Sequence, residues 1–141
     1  KHSIAIALFA TASLAVPSMA DADAIPPELT GIWESEGAVF NGHALLEGQG
    51  VYLRADGRGM LIGGPPAIGV LFIGRYDKGK NALNIRYFSG PGGPNKCVDM
   101  EMIYDPAAAT IHAGVELHRR TAEMPPYFQQ YIVNAPVGCS W

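Results

Sequence analysis

Apolar and polar residues alternate in short runs along most of this chain, and glycine, proline, asparagine or aspartate separates the runs. Alternate residues of a β-strand face opposite sides of a sheet, so this pattern predicts antiparallel strands joined by tight turns. The Asp56-Gly57 pair between two apolar runs is a strong hairpin signal. Residues 42–47 are compatible with one turn of helix. The predicted strands lie at residues 30–36, 51–54, 60–62, 69–76, 82–88, 97–104 and 110–118.

The alternation is most regular in residues 97–104 and 110–118, which predict a hairpin with one apolar face. A slip of one residue would turn every apolar side chain of a strand towards water, so the register is strongly specified. By contrast, residues 69–76 are largely apolar and predict a strand buried on both faces. The hairpin register that keeps Met100 and Met102 inside pairs Tyr104 with Ala109, Met102 with Ile111, Glu101 with His112 and Cys97 with Glu116.

The chain contains two cysteines, Cys97 and Cys139. An even number of cysteines in an exported protein favours a disulfide bond, although two free buried thiols are an alternative. The predicted register places Cys97 on the outer face of the sheet. A bond to Cys139 therefore predicts that the C-terminal tail crosses the outside of the sheet and is fixed there.

The tail also carries a helical pattern. Pro126 suits the first turn of a helix, and Tyr127 and Tyr131 are spaced to form one exposed face. Seven or eight short strands followed by such a tail are typical of a barrel or a sandwich. We predict an all-β fold, namely a small antiparallel up-and-down β-barrel of about seven or eight strands with a short C-terminal helix.

The first residues have the three regions of a secretory signal peptide. Residues 4–16 are apolar, follow the basic Lys1 and precede Ser18 and Ala20, whose small side chains suit signal peptidase. The apolar run is shorter than the roughly 20 residues that span a bilayer, so a membrane anchor is the weaker alternative. We predict a signal peptide at residues 1–20, one barrel domain at residues 21–141, and a periplasmic or secreted location. Ala22 and Ala24 are alternative cleavage positions.

Charge and motifs exclude several functions. The formal net charge of −3 over 141 residues argues against nucleic acid and anionic membranes as partners. We expect no metal site, because His112 and His118 are too far apart on one strand to share an ion. No serine lies in a nucleophile-elbow motif, and we expect no cofactor. A catalytic site assembled from distant residues remains an open alternative.

The sequence Leu29-Thr30-Gly31-Ile32-Trp33 resembles the Gly-x-Trp opening of the lipocalin-like (calycin) barrels. In that family the tryptophan plugs one end of the barrel and an arginine on the last strand packs over it. The resemblance implies this role for Trp33, with Arg119 or Arg120 as the arginine. It also implies a carrier of a small apolar ligand, although an eight-stranded barrel can be filled by its own side chains.

Two functions follow from these observations. The first is an exported, non-enzymatic binding protein that acts on a macromolecular partner through its loops and tail, as small inhibitors and immunity proteins do. Rigid scaffolds often present binding loops of this glycine- and proline-rich kind. The second is a lipocalin-like carrier, with Trp33, Met100 and Met102 as ligand-binding residues. The residues expected to contact a macromolecular partner are Pro91, Asn95, Lys96, Tyr127 and Tyr131.

Overall fold

The computed structural model describes residues 24–41, 44–65, 68–120 and 126–141. The predicted signal peptide at residues 1–20 lies outside these ranges. Within them, no helix is long and apolar enough to cross a membrane.

Short strands account for most of the described chain. A single 3-10 turn at Pro27–Leu29 precedes them, and the helix α1 at Pro126–Asn134 follows them. The nine strands are β1 Gly31–Ser35, β2 Val39–Asn41, β3 Ala44–Leu53, β4 Arg58–Gly64, β5 Ile68–Asp77, β6 Ala82–Ser89, β7 Lys96–Asp105, β8 Thr110–His112 and β9 Glu116–Arg120.

Eight of these strands form a closed antiparallel barrel. Each strand from β3 to β9 pairs with the next one along the chain, and β1 pairs with both β3 and β9. Closure removes the free sheet edges that would otherwise invite further pairing. The short β2 pairs only with β3, after an irregularity in register. The predicted up-and-down β-barrel with a short C-terminal helix is therefore confirmed.

Large apolar side chains fill the part of the lumen nearest the 3-10 turn. The ring of Phe72 takes the space that a side chain at Gly59 would need, because a β-carbon there would lie 2.4 Å from the ring. Close packing of this kind leaves no room for a ligand. The fully buried members of this core include Leu29, Trp33, Leu53, Phe72, Leu83, Ile85 and Ile111.

A second, smaller apolar cluster lies on the outside of the barrel, beneath α1. Ile132 of the helix is completely buried and packs with Ile32 and Met60. Arg58 holds the C-terminal end of the helix by donating hydrogen bonds to the carbonyl oxygens of Ile132 and Ala135, at 3.0 and 2.7 Å. A cation at this end also suits the helix dipole. The helix begins at Pro126, as predicted.

Residues 135–141 cross the outer face of the barrel as an extended tail. Cys139 is bonded to Cys97, and Arg86 donates a hydrogen bond of 2.8 Å to the carbonyl of Ser140. The guanidinium carbons of Arg75 and Arg86 lie 4.3 and 4.4 Å from the centroid of the Trp141 ring. Both the predicted disulfide and the predicted external course of the tail are confirmed.

The predicted hairpin at residues 97–118 is wrong in one respect. Residues 110–118 do not form a single strand but fold back as β8 and β9, with the turn at residues 113–115. Gly114 has a φ of +76°, a conformation that glycine adopts at little cost. Because of this turn, two strands, β8 and β9, lie between β7 and β1. The barrel closes where β9 pairs with β1.

The register of this hairpin is also two residues from the predicted one. Because the shift is even, Met102 and Ile111 remain buried on the inner face. Ala109 lies in the turn with a φ of +53°. The observed pairs are Tyr104 with Ile111, Ile103 with His112, Asn84 with Glu101, Phe88 with Cys97, and His112 with Glu116.

Two further expectations need correction. The predicted helical turn is wrong for residues 44–47, which belong to β3; residues 42 and 43 lie outside the described chain. The strand β5 is not buried on both faces. Its inward-facing Phe72 and Tyr76 are buried. Leu71, which packs against the cluster beneath α1, is only partly buried.

Candidate functional site

One end of the barrel is plugged by Trp33. Its side chain is 1 % exposed, and its indole nitrogen donates a hydrogen bond of 3.0 Å to the carbonyl of Leu29 in the 3-10 turn. Tyr104 meets it edge-on with the ring centroids 6.2 Å apart. A buried indole is stable here because both its apolar body and its N–H have partners. We call this the plugged end.

Arg119 covers the outer side of this plug. Its guanidinium carbon lies 4.8 Å from the centroid of the Trp33 ring, and it donates hydrogen bonds to the carbonyl oxygens of Thr30 and Glu28. Gly31 makes room for it, because a β-carbon there would lie 3.0 Å from the guanidinium nitrogen and the local φ is +121°. The packing expected of an arginine on the last strand is therefore present at Arg119, whereas Arg120 pairs with Glu34 at 2.9 Å.

The opposite end contains an apolar cavity of about 260 Å³ that is open to solvent at Ile68, which is 59 % exposed. We call this cavity the lumen cavity and this end the open end. Met102 is fully buried and Met100 is partly exposed, and both line it. The residues that line the lumen cavity are Gln49, Gly50, Val51, Leu61, Ile62, Gly63, Ile68, Val70, Met100, Met102, Ala113 and Leu117.

Small residues explain why space remains at this end. A β-carbon at Gly63 would meet no heavy atom within 4 Å, so this position contributes volume that no neighbour fills. Ala113, in the turn between β8 and β9, adds only a methyl group. An apolar cavity of this kind has too few polar partners to hold ordered water well. Its chemistry therefore suits an apolar occupant.

The pairing between β1 and β9 ends beside the lumen cavity and leaves a groove. The last pair between β1 and β9 joins Ser35 to Leu117, and the chain then turns and next pairs with β3 at Val39. The groove left there has a volume of about 500 Å³. We call it the notch. Its lining residues are Ser35, Glu36, Gly48, Gln49, Val115, Glu116 and His118.

The charges in the notch are mainly negative. Glu36 and Glu116 line it, and His118 lies 2.9 Å from a carboxylate oxygen of Glu116. Of the described residues that line the notch, none is lysine or arginine. Gln49 lines both the notch and the lumen cavity, so the two spaces adjoin.

A third feature lies on the outer face, where the β6–β7 loop meets the tail. Pro91 and Asn95 of this loop and Lys96 at the start of β7 are exposed. Phe88 and Trp141 flank the disulfide and are 41 % and 40 % exposed. We call this the tail patch.

One ion pair in the tail patch is well formed. Arg86 donates two hydrogen bonds to the carboxylate of Asp99, at 2.7 and 3.0 Å. These bonds lower the pKa of Asp99 and raise the pKa of Arg86, because each charged form stabilises the other. The pair is exposed to solvent and therefore mainly orients Arg86 against Trp141.

The structure separates the residues that the sequence grouped as ligand-binding. Met100 and Met102 line the lumen cavity, whereas Trp33 lies below it at the plugged end. The residues Gln49, Val51 and Leu61 were not anticipated. The alternation of residues 49–53 assigns Gln49 and Val51 to one face, but only closure of the barrel identifies that face as the cavity wall.

The predicted partner-binding tyrosines are only partly described. Tyr131 is 53 % exposed on α1, and the side chain of Tyr127 lies outside the described part of the chain. Across the described residues, no group of three or more histidine, cysteine, aspartate or glutamate side chains is arranged to hold a metal ion. No protein-family model, curated protein or solved structure matches this chain. The candidate sites are therefore interpreted from the chain's own geometry.

Proposed function

We propose that this protein binds a small apolar molecule in the lumen cavity. The observation that carries the proposal is that side chains fill the lumen at one end of the barrel and leave it unfilled at the other. Trp33 closes the plugged end, and an apolar space of about 260 Å³ remains at the open end. An open, mostly apolar pocket with few polar groups is the usual form of a small-molecule site.

The volume limits the size of the ligand. A cavity of about 150 Å³ accommodates benzene, so the lumen cavity suits a molecule with roughly ten non-hydrogen atoms. Met100 and Met102 have flexible, polarisable side chains that adapt to different apolar shapes. We therefore expect selection by length and polarity more than by exact shape.

The plugged end supports a calycin-like interpretation of this barrel. Gly31, Trp33 and Arg119 act together there, as the resemblance in the sequence implies. On this interpretation the protein is an exported carrier whose signal peptide is removed. The bond between Cys97 and Cys139 is consistent with an oxidising compartment such as the periplasm.

The direct test is calorimetric titration with a series of linear 1-alkanols. Each buried methylene contributes about 0.8 kcal/mol, so affinity is expected to rise about fourfold per carbon until the cavity is full. The rise is expected to stop near ten carbons, because longer chains extend into solvent. Failure of every alkanol to bind would overturn the proposal.

A variant that fills the lumen cavity tests whether the alkanols bind there. Ala113→Trp places an indole in the lumen cavity and is expected to abolish alkanol binding. Ala107→Trp, on the exposed turn after β7, is the matched control and should bind as the native protein does. Thermal unfolding of both variants checks that each still folds. Unchanged binding by folded Ala113→Trp would place the alkanol site elsewhere.

A second candidate function rests on the tail patch. Exposed Phe88 and Trp141 lie beside Arg75 and Arg86, and tryptophan and arginine are the residues that most often dominate protein interfaces. The patch suits a macromolecular partner, as an inhibitor- or immunity-like protein would require. Loss of a captured partner with Trp141→Ala, but not with Ala113→Trp, would favour this function. Retention of the captured partner by Trp141→Ala would overturn this function.

A further inference from the structure

The notch is the feature of the open end that the carrier function leaves unexplained. Beyond the Ser35–Leu117 pair, the chain turns at Glu36 and Gly37 instead of continuing beside β9. The notch adjoins the lumen cavity at Gln49, so a polar group at the end of a ligand in the cavity would lie close to the notch. The two spaces differ in chemistry, because the lumen cavity is apolar and the notch is polar.

Gln49 stands where the two spaces meet. Its backbone N–H donates a hydrogen bond of 2.9 Å to the hydroxyl oxygen of Ser35, which fixes β3 against the end of β1. Its side chain is exposed and lines both spaces. In the described lining of the lumen cavity it is the one polar side chain, and the carboxamide can donate and accept hydrogen bonds. A polar group of a ligand would meet it first on leaving the apolar space.

The charge of the notch determines which polar group fits. Glu36 has no ion-pair partner among the residues that the structure describes, and Glu116 is paired only with His118. Arg120 of β9 pairs with Glu34, and neither Arg119 nor Lys96 lines the notch. A carboxylate headgroup would be repelled here, whereas an ammonium group would be attracted.

We infer that the lumen cavity selects amphiphilic amines, with the apolar chain beside Met100 and Met102 and the ammonium group in the notch near Glu36 and Glu116. This inference rests on the proposed function and adds the chemical class of the ligand. It excludes fatty acids of the same length as preferred ligands. Gln49 accommodates the polar atom at the boundary between the two spaces.

Three eight-carbon compounds test the inference: octylamine, 1-octanol and octanoate. They share one apolar chain and differ only in headgroup charge, and each is titrated calorimetrically at about pH 8 and low salt. Attraction by an exposed carboxylate at roughly 6 Å changes affinity by about threefold. We expect octylamine to bind at least about tenfold more tightly than octanoate, with 1-octanol between them. Added salt should reduce the difference in affinity between octylamine and octanoate, because it screens the carboxylates.

Charge-neutralising variants identify the groups responsible. Glu116→Gln is expected to weaken octylamine about threefold and leave 1-octanol unchanged, and the double variant Glu36→Gln/Glu116→Gln should weaken octylamine further. Glu101→Gln is the matched control, since Glu101 is exposed on β7 opposite Asn84. It should alter none of the three affinities.

The outcomes separate this inference from the proposed function. Equal affinity for all three compounds, or equal losses for octylamine and 1-octanol in the glutamate variants, would overturn the amine selectivity and leave the apolar site intact. Failure of all three compounds to bind the native protein would overturn both proposals. Tighter binding of octanoate than of octylamine would show that the headgroup does not occupy the notch.

Discussion

The two ends of this barrel are built from the same strands but differ in how completely side chains fill the lumen. At the plugged end Trp33 fills the lumen, and its N–H and the neighbouring backbone carbonyls of residues 28–30 all have hydrogen-bond partners. At the open end Gly63 and Ala113 leave an apolar space unfilled. One end therefore contributes mainly stability, and the other is available for binding. The lumen differs between the two ends in side-chain volume, and the pairing between β1 and β9 also stops at the open end, where the notch lies.

The largest expected effect is at the plug itself. Trp33→Ala removes a fully buried indole and is expected to cost about 3–5 kcal/mol in unfolding free energy, because the rigid barrel cannot collapse around the gap. Urea unfolding measures this loss. The matched control is Trp141→Ala in the tail patch, where the half-exposed ring loses only cation–π contacts worth about 1 kcal/mol or less. Equal losses for the two variants would contradict the assignment of Trp33 as the plug.

A pair of glycine substitutions compares the two ends directly. Gly31→Ala is expected to cost about 1–2 kcal/mol, because the φ of +121° disfavours a side chain and the added methyl group meets Arg119. Gly63→Ala has free space around it and is expected to change stability by less than about 1 kcal/mol. Thermal unfolding of both variants provides the comparison. A larger loss at Gly63 would mean that the open end is as closely packed as the plugged end.

The smallest expected effect is a pH dependence at the plugged end. Burial raises the pKa of the Tyr76 phenol above its usual 10.0, and the nearby Glu28 carboxylate adds to the shift. The folded protein thus holds this proton more tightly than the unfolded chain does. Its contribution to stability is complete below about pH 10 and declines as pH rises through the folded-state pKa.

Urea unfolding at about pH 9 and about pH 11 measures this decline. Tyr76→Phe should reduce the difference between the two pH values, although it also loses the hydrogen bond to Asn81. The phenol donates this hydrogen bond only while it is protonated, so the bond is lost in the same titration. An unchanged pH dependence in Tyr76→Phe would assign the titration to another group.

Local patterns in the sequence predicted most of the barrel. The alternation of Met100, Met102 and Tyr104 identified the inner face of β7, and the positions of Cys97 and Cys139 predicted the external tail. These predictions depend on the direction of neighbouring side chains, which a period of two residues determines. The resemblance carried by the Gly-x-Trp motif indicated Trp33 as the plug, and it left Arg119 and Arg120 as alternatives for the arginine beside it.

The errors arose where distant segments compete. Residues 110–118 have a regular alternation and could form one strand, but the chain folds back at Gly114 so that β9 can pair with β1. The closure of the barrel outweighs the preference of the local sequence for a longer hairpin. No local pattern shows this, because β1 and β9 are far apart along the chain.

The sequence by itself determined the strand periodicity, the inner position of the two methionines and the disulfide, and its Gly-x-Trp resemblance indicated Trp33 as the plug. The tertiary structure alone decided that space remains at the open end and that the notch adjoins it. A cavity is the difference between the volume that the closed barrel encloses and the volume of the side chains directed into it. That difference depends on pairing between strands from both ends of the chain, so it exists only once the barrel has closed.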